Sequence, residues 1–268
     1  MLYRYGTDGK GKLVKKAVVY TQTEHLISNI NIDPDALQII SRLRDAGYTA
    51  YIVGGAVRDL IVGNKPKDFD IVTDATPSKI KKIFRNSRII GRRFRLVHVV
   101  FGKKIFEVST FRSNAEGSVG NDFGTIEEDV LRRDFTLNAL YYDPLQEQVI
   151  DYVGGMKDIK KHVLKPVIDL DRIFVEDPVR MLRAIKYSAT THAKMSRSLR
   201  HKIISSASLL SQISPSRLTE ELLKIINNTY AYEIISEALE TDLFMYLQPS
   251  ATGLIYENKK YEKDYMQS

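Results

Sequence analysis

The segment GGAVRDLIVGNKPKDFDIVTD, residues 54–74, constrains the fold more than any other part of the chain. A diglycine turn, a short apolar helix and a second turn lead to two aspartates, and strand-forming residues flank the segment. Asp68 and Asp70 are two positions apart, so on a strand they lie on the same face. Backbone N–H groups at Gly54 and Gly55 can approach a phosphate closely, and paired carboxylates are ligands that Mg²⁺ prefers. The spacing therefore predicts a phosphate-binding turn beside a metal site.

Each of these features is weak alone, because aspartate is a common turn residue at strand ends. Their combination in this order is specific, and with it the chain resembles the nucleotidyltransferases of the DNA polymerase β-like superfamily, in the branch that contains the CCA-adding enzymes and the bacterial poly(A) polymerases. The resemblance implies an α+β fold, with a mixed or antiparallel-sheet nucleotidyltransferase head followed by an all-α neck domain. It also implies Asp68 and Asp70 as catalytic metal ligands and Gly54, Gly55 and Arg58 as nucleotide-binding residues.

Glu107, in the run KIFEVSTFR, is the candidate for a third catalytic and metal-binding carboxylate. Alternation along the strand puts it on the face opposite to Phe106, and the strand is expected to pair beside the one that carries Asp70. A site for two metal ions needs a third anion near the attacking hydroxyl. The alternative is a glutamate on the solvent face of a half-exposed strand, and the resemblance favours the catalytic role.

The string RRDFTLN, residues 132–138, supplies the next candidates. Arginines can neutralise a triphosphate, and asparagine can hydrogen-bond a ribose hydroxyl. Read alone, an arginine pair that closes a helix is equally well explained by the helix dipole. The string matches the second signature of the class II family, which implies Arg132, Arg133 and Asn138 as nucleotide-binding residues. Asp134 is a weaker candidate, either as a member of the catalytic set or as a group that orients the arginines.

The string EDPVRMLRA, residues 176–184, opens the helical part of the chain. Asp177 and Arg180 are three positions apart, so they share a helix face and could simply form a salt bridge there. In the resembled family this pair reads the incoming base, the carboxylate accepting from an exocyclic amine and the guanidinium donating to a ring nitrogen. The resemblance therefore implies Asp177 and Arg180 as base-selecting residues, with Arg183 as a further nucleotide-binding residue.

The run IIGRRFRLVHVVF, residues 89–101, looks like the signature that separates bacterial poly(A) polymerases from CCA-adding enzymes. Its arginines Arg92, Arg93 and Arg95 are predicted RNA contacts. The resemblance extends from about His25 to about Phe244. It departs from the family pattern at Lys186 and Tyr187, at the position of Arg172, and at the end of the chain, where further RNA-binding regions are expected.

The chain of 268 residues is expected to hold two domains. Residues 1–24 read as a mobile basic arm, 25–168 as the head, 169–250 as the helical neck involved in nucleotide and RNA binding, and 251–268 as a charged tail. The predicted elements are helices over residues 34–46 and 77–85, a helix beginning near Thr125, and strands over residues 49–53, 68–73, 95–101 and 104–110, the last two forming a hairpin.

Composition is consistent with an RNA-handling protein. The net charge is +7, which favours attraction to polyanions but also suits a basic protein without a nucleic-acid partner. Cysteine is absent, so disulfides and Cys-ligated zinc are excluded. No apolar run is long enough to span a bilayer, and a cytoplasmic location is expected. The oligomeric state is not indicated, and a monomer is assumed.

The sequence therefore predicts a template-independent polynucleotide adenylyltransferase that uses ATP and Mg²⁺, with Mn²⁺ as the alternative ion, and that acts on RNA 3′ ends. Two alternatives remain open. One is a CCA-adding or A-adding enzyme that matures tRNA. The other is a catalytically silent RNA-binding protein derived from a shortened polymerase.

Overall fold

The computed structural model describes residues 1–91, 96–113, 123–257 and 265. Arg92, Arg93 and Arg95, the predicted RNA contacts, lie outside the described residues. The chain divides into two compact units, Met1–Lys157 and Asp158–Ser268. This division comes before the predicted boundary at 168/169.

The first unit is built on a sheet. Among its described residues nine strands pair in the spatial order β1-β2-β9-β8-β3-β4-β7-β6-β5. Neighbouring strands are antiparallel except for β4 and β7, which are parallel. The strands are β1 Leu2–Thr7, β2 Leu13–Tyr20, β3 Ala50–Val53, β4 Asp70–Thr73, β5 Ser87–Ile90, β6 Leu96–Phe101, β7 Lys104–Thr110, β8 Leu140–Asp143 and β9 Gln148–Asp151.

Short helices connect these strands. They are α1 Gln22–His25, α2 Pro34–Asp45, α3 Gly55–Ile61, α4 Pro77–Ile83, α5 Ile126–Leu131 and α6 Gly155–Lys160, the last of which crosses the boundary between the units.

Helix α2 shows how the sequence determines these elements. The Asp33 side chain accepts a hydrogen bond from the Asp35 backbone N–H, and Pro34 occupies the first turn, where it leaves no intrahelical bond unmade. One face of the helix buries Ala36, Ile39, Ile40 and Leu43. Burial of each large aliphatic side chain contributes roughly 1.5–3 kcal/mol. The predicted helix over residues 34–46 is confirmed, as is the predicted β6–β7 hairpin.

The N-terminal segment differs from its prediction. Residues 1–24 are not a mobile arm: β1 and β2 form an antiparallel hairpin, and β2 continues the sheet by pairing with β9. The alternating buried residues Ala17 and Val19 attach the hairpin to the core. The alternation is difficult to recognise in the sequence because residues 1–24 also contain three glycines and four lysines, which are not typical of strands.

The second unit is mainly helical, with one exception. Strand β10, Val163–Leu164, pairs in parallel with β11, Lys194–Met195, so this unit contains a short two-stranded sheet beside its helices. Residues 158–168, which were predicted to belong to the head, are part of this unit. Part of the predicted tail is also helical, since α13 continues to residue 257. The helices are α7 Leu170–Glu176, α8 Val179–Thr191, α9 Arg197–Ser206, α10 Pro215–Ile226, α11 Ala231–Glu240, α12 Phe244–Leu247 and α13 Pro249–Glu257.

The core of the second unit lies around α8. Met181, Leu182 and Ile185 of this helix are buried, as are Ile225 of α10 and Ile234 of α11. Throughout the described part of the chain, no helix combines the length and the apolar character needed to cross a membrane.

A buried histidine of the first unit is held in its neutral form. His25 Nε2 lies 3.0 Å from the Glu147 carbonyl oxygen, and its Nδ1 accepts from the Ile27 backbone N–H at 3.0 Å. The bond to Nδ1 requires an unprotonated nitrogen, so the proton resides on Nε2. Burial lowers the pKa of His25 below its ordinary value, against the opposing effect of the bond to Glu147.

We expect this histidine to make stability depend on pH. The unfolded chain protonates His25 near pH 6.5, whereas the folded chain resists protonation, so the free energy of unfolding falls as the pH drops from about 7.5 to about 5.5. A His25→Gln variant can keep both hydrogen bonds without titrating. Urea unfolding at the two pH values should show a smaller loss for His25→Gln than for the wild type. Equal losses in the two proteins would contradict this assignment.

Candidate active site

The turn between β3 and α3 adopts a conformation that favours glycine. Gly54 has φ 75° and ψ −136°, outside the region that other residues adopt easily. A Cβ at residue 54 would lie 3.8 Å from Nη1 of Arg133 and 3.9 Å from Oδ2 of Asp70. A Cβ at Gly55 would lie 3.5 Å from Nη2 of Arg58. The turn therefore runs directly beside two of the predicted site residues and next to a third.

Strand pairing aligns two of the predicted carboxylates. Asp70 begins β4 opposite Val53 of β3, and the parallel register that pairs Ile71 with Val108 puts Glu107 beside Asp70 on the neighbouring strand. Asp68 does not lie on the strand, so the prediction that both aspartates share a strand face is wrong. Strand β3 ends at Val53 because the chain turns at Gly54, which leaves Asp68 without a pairing partner.

Asp70 lies in a strongly negative environment. The surrounding protein partly shields Asp70 from bulk water, although the residue keeps solvent contact, and this shielding is the main reason that its pKa is raised to about 6. The negative charges of Glu107 and Asp68 also raise the pKa, while the positive charge of Arg133 lowers it. Asp70 is therefore close enough to Glu107 and to Asp68 for its charge to be repelled by each of them. A bound cation would relieve this repulsion.

The donor set suits a hard divalent cation chemically, because it consists of carboxylate oxygens that remain accessible to water. The side chain of Glu107 is 55% exposed, and its Oε1 lies 3.6 Å from Nε2 of His98 on β6. Among the residues that the structure describes, no three His, Asp or Glu side chains are gathered closely enough to hold one ion.

Arg133 is fixed by two groups that the sequence analysis did not single out. Its Nε donates to the Tyr141 hydroxyl at 3.0 Å, and its Nη2 donates to Oδ2 of Asp129 at 3.0 Å. The Tyr141 hydroxyl donates to the same carboxylate oxygen at 2.8 Å. Burial alone would lower the pKa of Arg133, but Tyr141 and Asp129 hold it above its ordinary value. The guanidinium is a permanent positive charge beside Gly54.

The i, i+4 spacing of Asp129 and Arg133 could have indicated their ion pair. Tyr141 had no local signal, because it comes from β8 and meets Arg133 only in the folded chain.

A second hydrogen-bonded group connects α3 with the RRDFTLN segment. Arg58 Nη1 donates to Oδ1 of Asn138 at 2.8 Å, and Arg58 Nε and Nη2 donate to Asp59. Asp134 is buried, and its Oδ1 accepts from the Phe135 backbone N–H at 2.7 Å and from Nδ2 of Asn138 at 3.3 Å. These contacts favour the orienting role for Asp134 over membership of the carboxylate cluster.

Arg132 is directed differently from Arg133. Its Nη1 donates to the Ser113 carbonyl oxygen at 2.6 Å, beside the segment that follows β7. The two adjacent arginines therefore do not act as a pair.

The base-selecting candidates belong to the second unit. Asp177 follows α7, and its Oδ2 accepts from Nη2 of Arg217 on α10 at 2.7 Å. Arg180 is buried on α8, and its Nη1 lies 3.3 Å from Oε2 of Glu176. Arg183, one helical turn later, lies 3.9 Å from Oε1 of Glu221.

Glu221 itself is a centre of charge in this unit. It is buried, and it also contacts Lys186 at 3.4 Å and Lys224 at 3.1 Å. Burial would raise the pKa of Glu221, but the surrounding cations hold it below its ordinary value. For Lys186, burial lowers the pKa below its ordinary value, although the contact with Glu221 acts in the opposite direction.

Two family profiles and a set of curated relatives match this chain. The profile of the Poly A polymerase head domain matches residues 50–165, and the profile described as a probable RNA and SrmB-binding site of polymerase A matches residues 194–254. Poly(A) polymerase I of Escherichia coli O6:H1 strain CFT073 is 45% identical over 259 residues, which are 91% of this chain and 56% of the relative.

CCA-adding enzymes are also similar. That of Geobacillus sp. strain WCH70 is 37% identical over 218 residues, 79% of this chain and 54% of the relative. The crystal structure of the Bacillus stearothermophilus CCA-adding enzyme in complex with CTP superimposes with a TM-score of 0.74 at 35% identity, covering 83% of this chain and 56% of that one. The chain spans about half the length of the curated relatives it matches. It belongs to the nucleotidyltransferase family that comprises the bacterial poly(A) polymerases and the CCA-adding enzymes.

Proposed function

We propose that the chain transfers AMP from ATP to RNA 3′ ends without a template and with Mg²⁺ as the metal ion, Mn²⁺ being the alternative. The observation that carries the proposal is the group of carboxylates Asp68, Asp70 and Glu107 beside the Gly54 turn and the Arg133 guanidinium. ATP and RNA are preferred as substrates because poly(A) polymerases are similar to this chain at 45% identity, against 37% for the CCA-adding relative.

The residues of the first unit have complementary roles in this reaction. Backbone N–H groups at Gly54 and Gly55 and the guanidinium groups of Arg58 and Arg133 bind the triphosphate. Asn138 fixes Arg58 through the bond between Arg58 Nη1 and Asn138 Oδ1. The half-buried positive charge of Arg133 opposes the negative charge that develops on the departing pyrophosphate.

The carboxylates of Asp68, Asp70 and Glu107 would hold Mg²⁺. When bound there, the ion supplies the charge that lowers the pKa of the attacking hydroxyl and neutralises the leaving group. The 3′-oxygen of the RNA forms a bond to the α-phosphorus of ATP, the bond from that phosphorus to the bridging oxygen breaks, and pyrophosphate leaves.

The second unit selects the base in this proposal. Asp177 accepts a hydrogen bond from the exocyclic amine of adenine, and Arg180 donates to a ring nitrogen. Arg217 and Glu176 hold these two side chains in fixed orientations. A fixed pair discriminates because an incorrect base leaves a polar group without a partner in a site that excludes water.

A CCA-adding tRNA nucleotidyltransferase is the second candidate, supported by the similarity to the CTP-bound structure at 35% identity. Extension of a labelled oligo(A) primer and of a tRNA lacking its terminal CCA, each with single nucleotides and Mg²⁺, separates the two. Long tails on oligo(A) with ATP alone support the proposal. Extension of the tRNA but not of oligo(A), first with CTP and then with ATP, supports the CCA-adding alternative. No extension of either primer supports the catalytically silent RNA-binding protein.

Replacement of Asp70 should stop the reaction without unfolding the protein. Asp70→Asn keeps the side-chain shape and removes the charge needed by the cation, so AMP transfer should fall by about a thousandfold or more. Single-turnover extension of oligo(A) measures this loss. Asp45→Asn, at an exposed position of α2, is the matched control and should retain wild-type rates. Comparable activity in both variants would remove Asp70 from the catalytic set.

Replacement of Asp177 should change nucleotide preference more than maximal rate. Asp177→Ala removes the acceptor for the exocyclic amine, which UTP lacks, so the preference for ATP over UTP in kcat/KM should decrease about 10- to 100-fold. The exposed Asp169→Ala variant serves as the control. An unchanged ATP/UTP ratio would mean that Asp177 does not contact the base.

A further inference from the structure

The N-terminal hairpin carries an exposed aromatic and basic surface that the proposed reaction does not use. Tyr3 and Tyr5 of β1 are 44% and 58% exposed, and their ring centroids are 6.4 Å apart. Lys15 of β2 is paired with Tyr5 in the register, and its Nζ lies 3.7 Å from the centroid of the Tyr3 ring. Three side chains thus form one surface, which we call the hairpin platform: Tyr3, Tyr5 and Lys15.

The hairpin concentrates positive charge around this platform. Residues 1–20 contain five basic side chains and a single carboxylate, although the whole chain has a net charge of only +7. Arg4 is turned toward the core and lies over the Tyr51 ring, at 5.9 Å from its centroid. The four lysines form no ion pair with any residue that the structure describes, so their charge is available to a partner; they are Lys10, Lys12, Lys15 and Lys16.

The platform is separate from the carboxylate cluster. Directly paired residues share a face of a sheet, and a continuous row of pairs runs from Leu2 on β1 through Tyr141 and Val53 to Asp70. Tyr3 follows Leu2, so the platform is on the opposite face from Asp70. Five strand spacings separate β1 from β4, which corresponds to about 24 Å.

We propose that the hairpin platform binds single-stranded RNA as an accessory site, remote from the chemistry. Tyrosine rings on a sheet surface accept stacked bases, and adjacent lysines neutralise the connecting phosphates. Charge complementarity favours a polyanion over an apolar partner, and the two neighbouring rings favour one with exposed bases. The statement that this RNA is the substrate strand rests on the proposed function. The statement that RNA binds to the platform does not.

The first test removes charge from the hairpin. Lys10→Gln/Lys12→Gln/Lys15→Gln preserves the strands and should weaken binding of an oligo(A) of roughly 20 nucleotides about tenfold at low salt. The slope of log Kd against log salt should decrease by about 2, as expected for three lost phosphate contacts on a single strand. The control, Lys79→Gln/Lys81→Gln/Lys82→Gln, removes the same charge from exposed positions on α4 and should leave the slope unchanged. Equal losses in the two variants would overturn the inference.

The second test isolates stacking. Tyr3→Leu/Tyr5→Leu retains apolar side chains on the strand and should weaken oligo(A) binding at least about fivefold, while binding of heparin, which has no bases, stays at the wild-type level. Thermal unfolding verifies that the variant is folded. Unchanged oligo(A) affinity would overturn the inference.

Both tests are performed without ATP and without Mg²⁺, so they read out RNA binding even if the chain does not transfer AMP. If AMP transfer does occur, the lysine and tyrosine variants should extend a primer of roughly 4 nucleotides at the wild-type rate and should show a raised KM only for the longer one. A reduced rate on the short primer would place the platform in the catalytic machinery and overturn its accessory role.

Discussion

The register of β3, β4 and β7 is the constraint on which the candidate site depends. Val53 pairs with Asp70, and the parallel register carries the same row to Glu107. The turn at Gly54 ends β3 directly after Val53, and it brings backbone N–H groups to the end of the row that carries the carboxylates. A slip of one residue would move Asp70 or Glu107 to the opposite face of the sheet. The burial of their neighbours Ile71 and Val108 opposes such a slip and so keeps both carboxylates on the same face.

The buried group of Arg133, Asp129 and Tyr141 balances this concentration of negative charge. A guanidinium held away from water is costly unless its hydrogen bonds are satisfied, and two of its nitrogens donate to Tyr141 and Asp129. Removal of the Asp129 carboxylate would take the ion-pair partner from this half-buried guanidinium and leave it bonded to the Tyr141 hydroxyl. These interactions keep the Arg133 guanidinium beside Asp70, and they also hold α5 against β8.

Features with a local cause could be predicted from the sequence. The cap and apolar face predicted α2, the Gly102–Lys103 turn predicted the β6–β7 hairpin, and alternation predicted that Glu107 faces away from the buried Phe106. Features set by long-range contacts could not. Tyr141 reaches Arg133 only after β8 joins the sheet. Of the N-terminal strands, β2 is held by pairing with β9 and β1 by pairing with β2, and their own glycine- and lysine-rich sequence gives little sign of either.

The charged side chains of the second unit hold in place the groups that are proposed to read the base. Asp177 is bonded to Arg217 of α10, and Glu221 of α10 is surrounded by cations that include Lys186 of α8. One contact joins the end of α7 to α10 and the other joins the middle of α8 to α10, so these contacts restrain the groups proposed to read the base relative to α10. Lys186, one of the positions at which the chain departs from the pattern of the resembled family, contacts the buried Glu221 at 3.4 Å. If Asp177 and Arg180 read the base as proposed, selectivity depends on the rigidity of these helices as much as on the two side chains, because a mismatch is rejected only where the polar groups cannot rearrange to satisfy it.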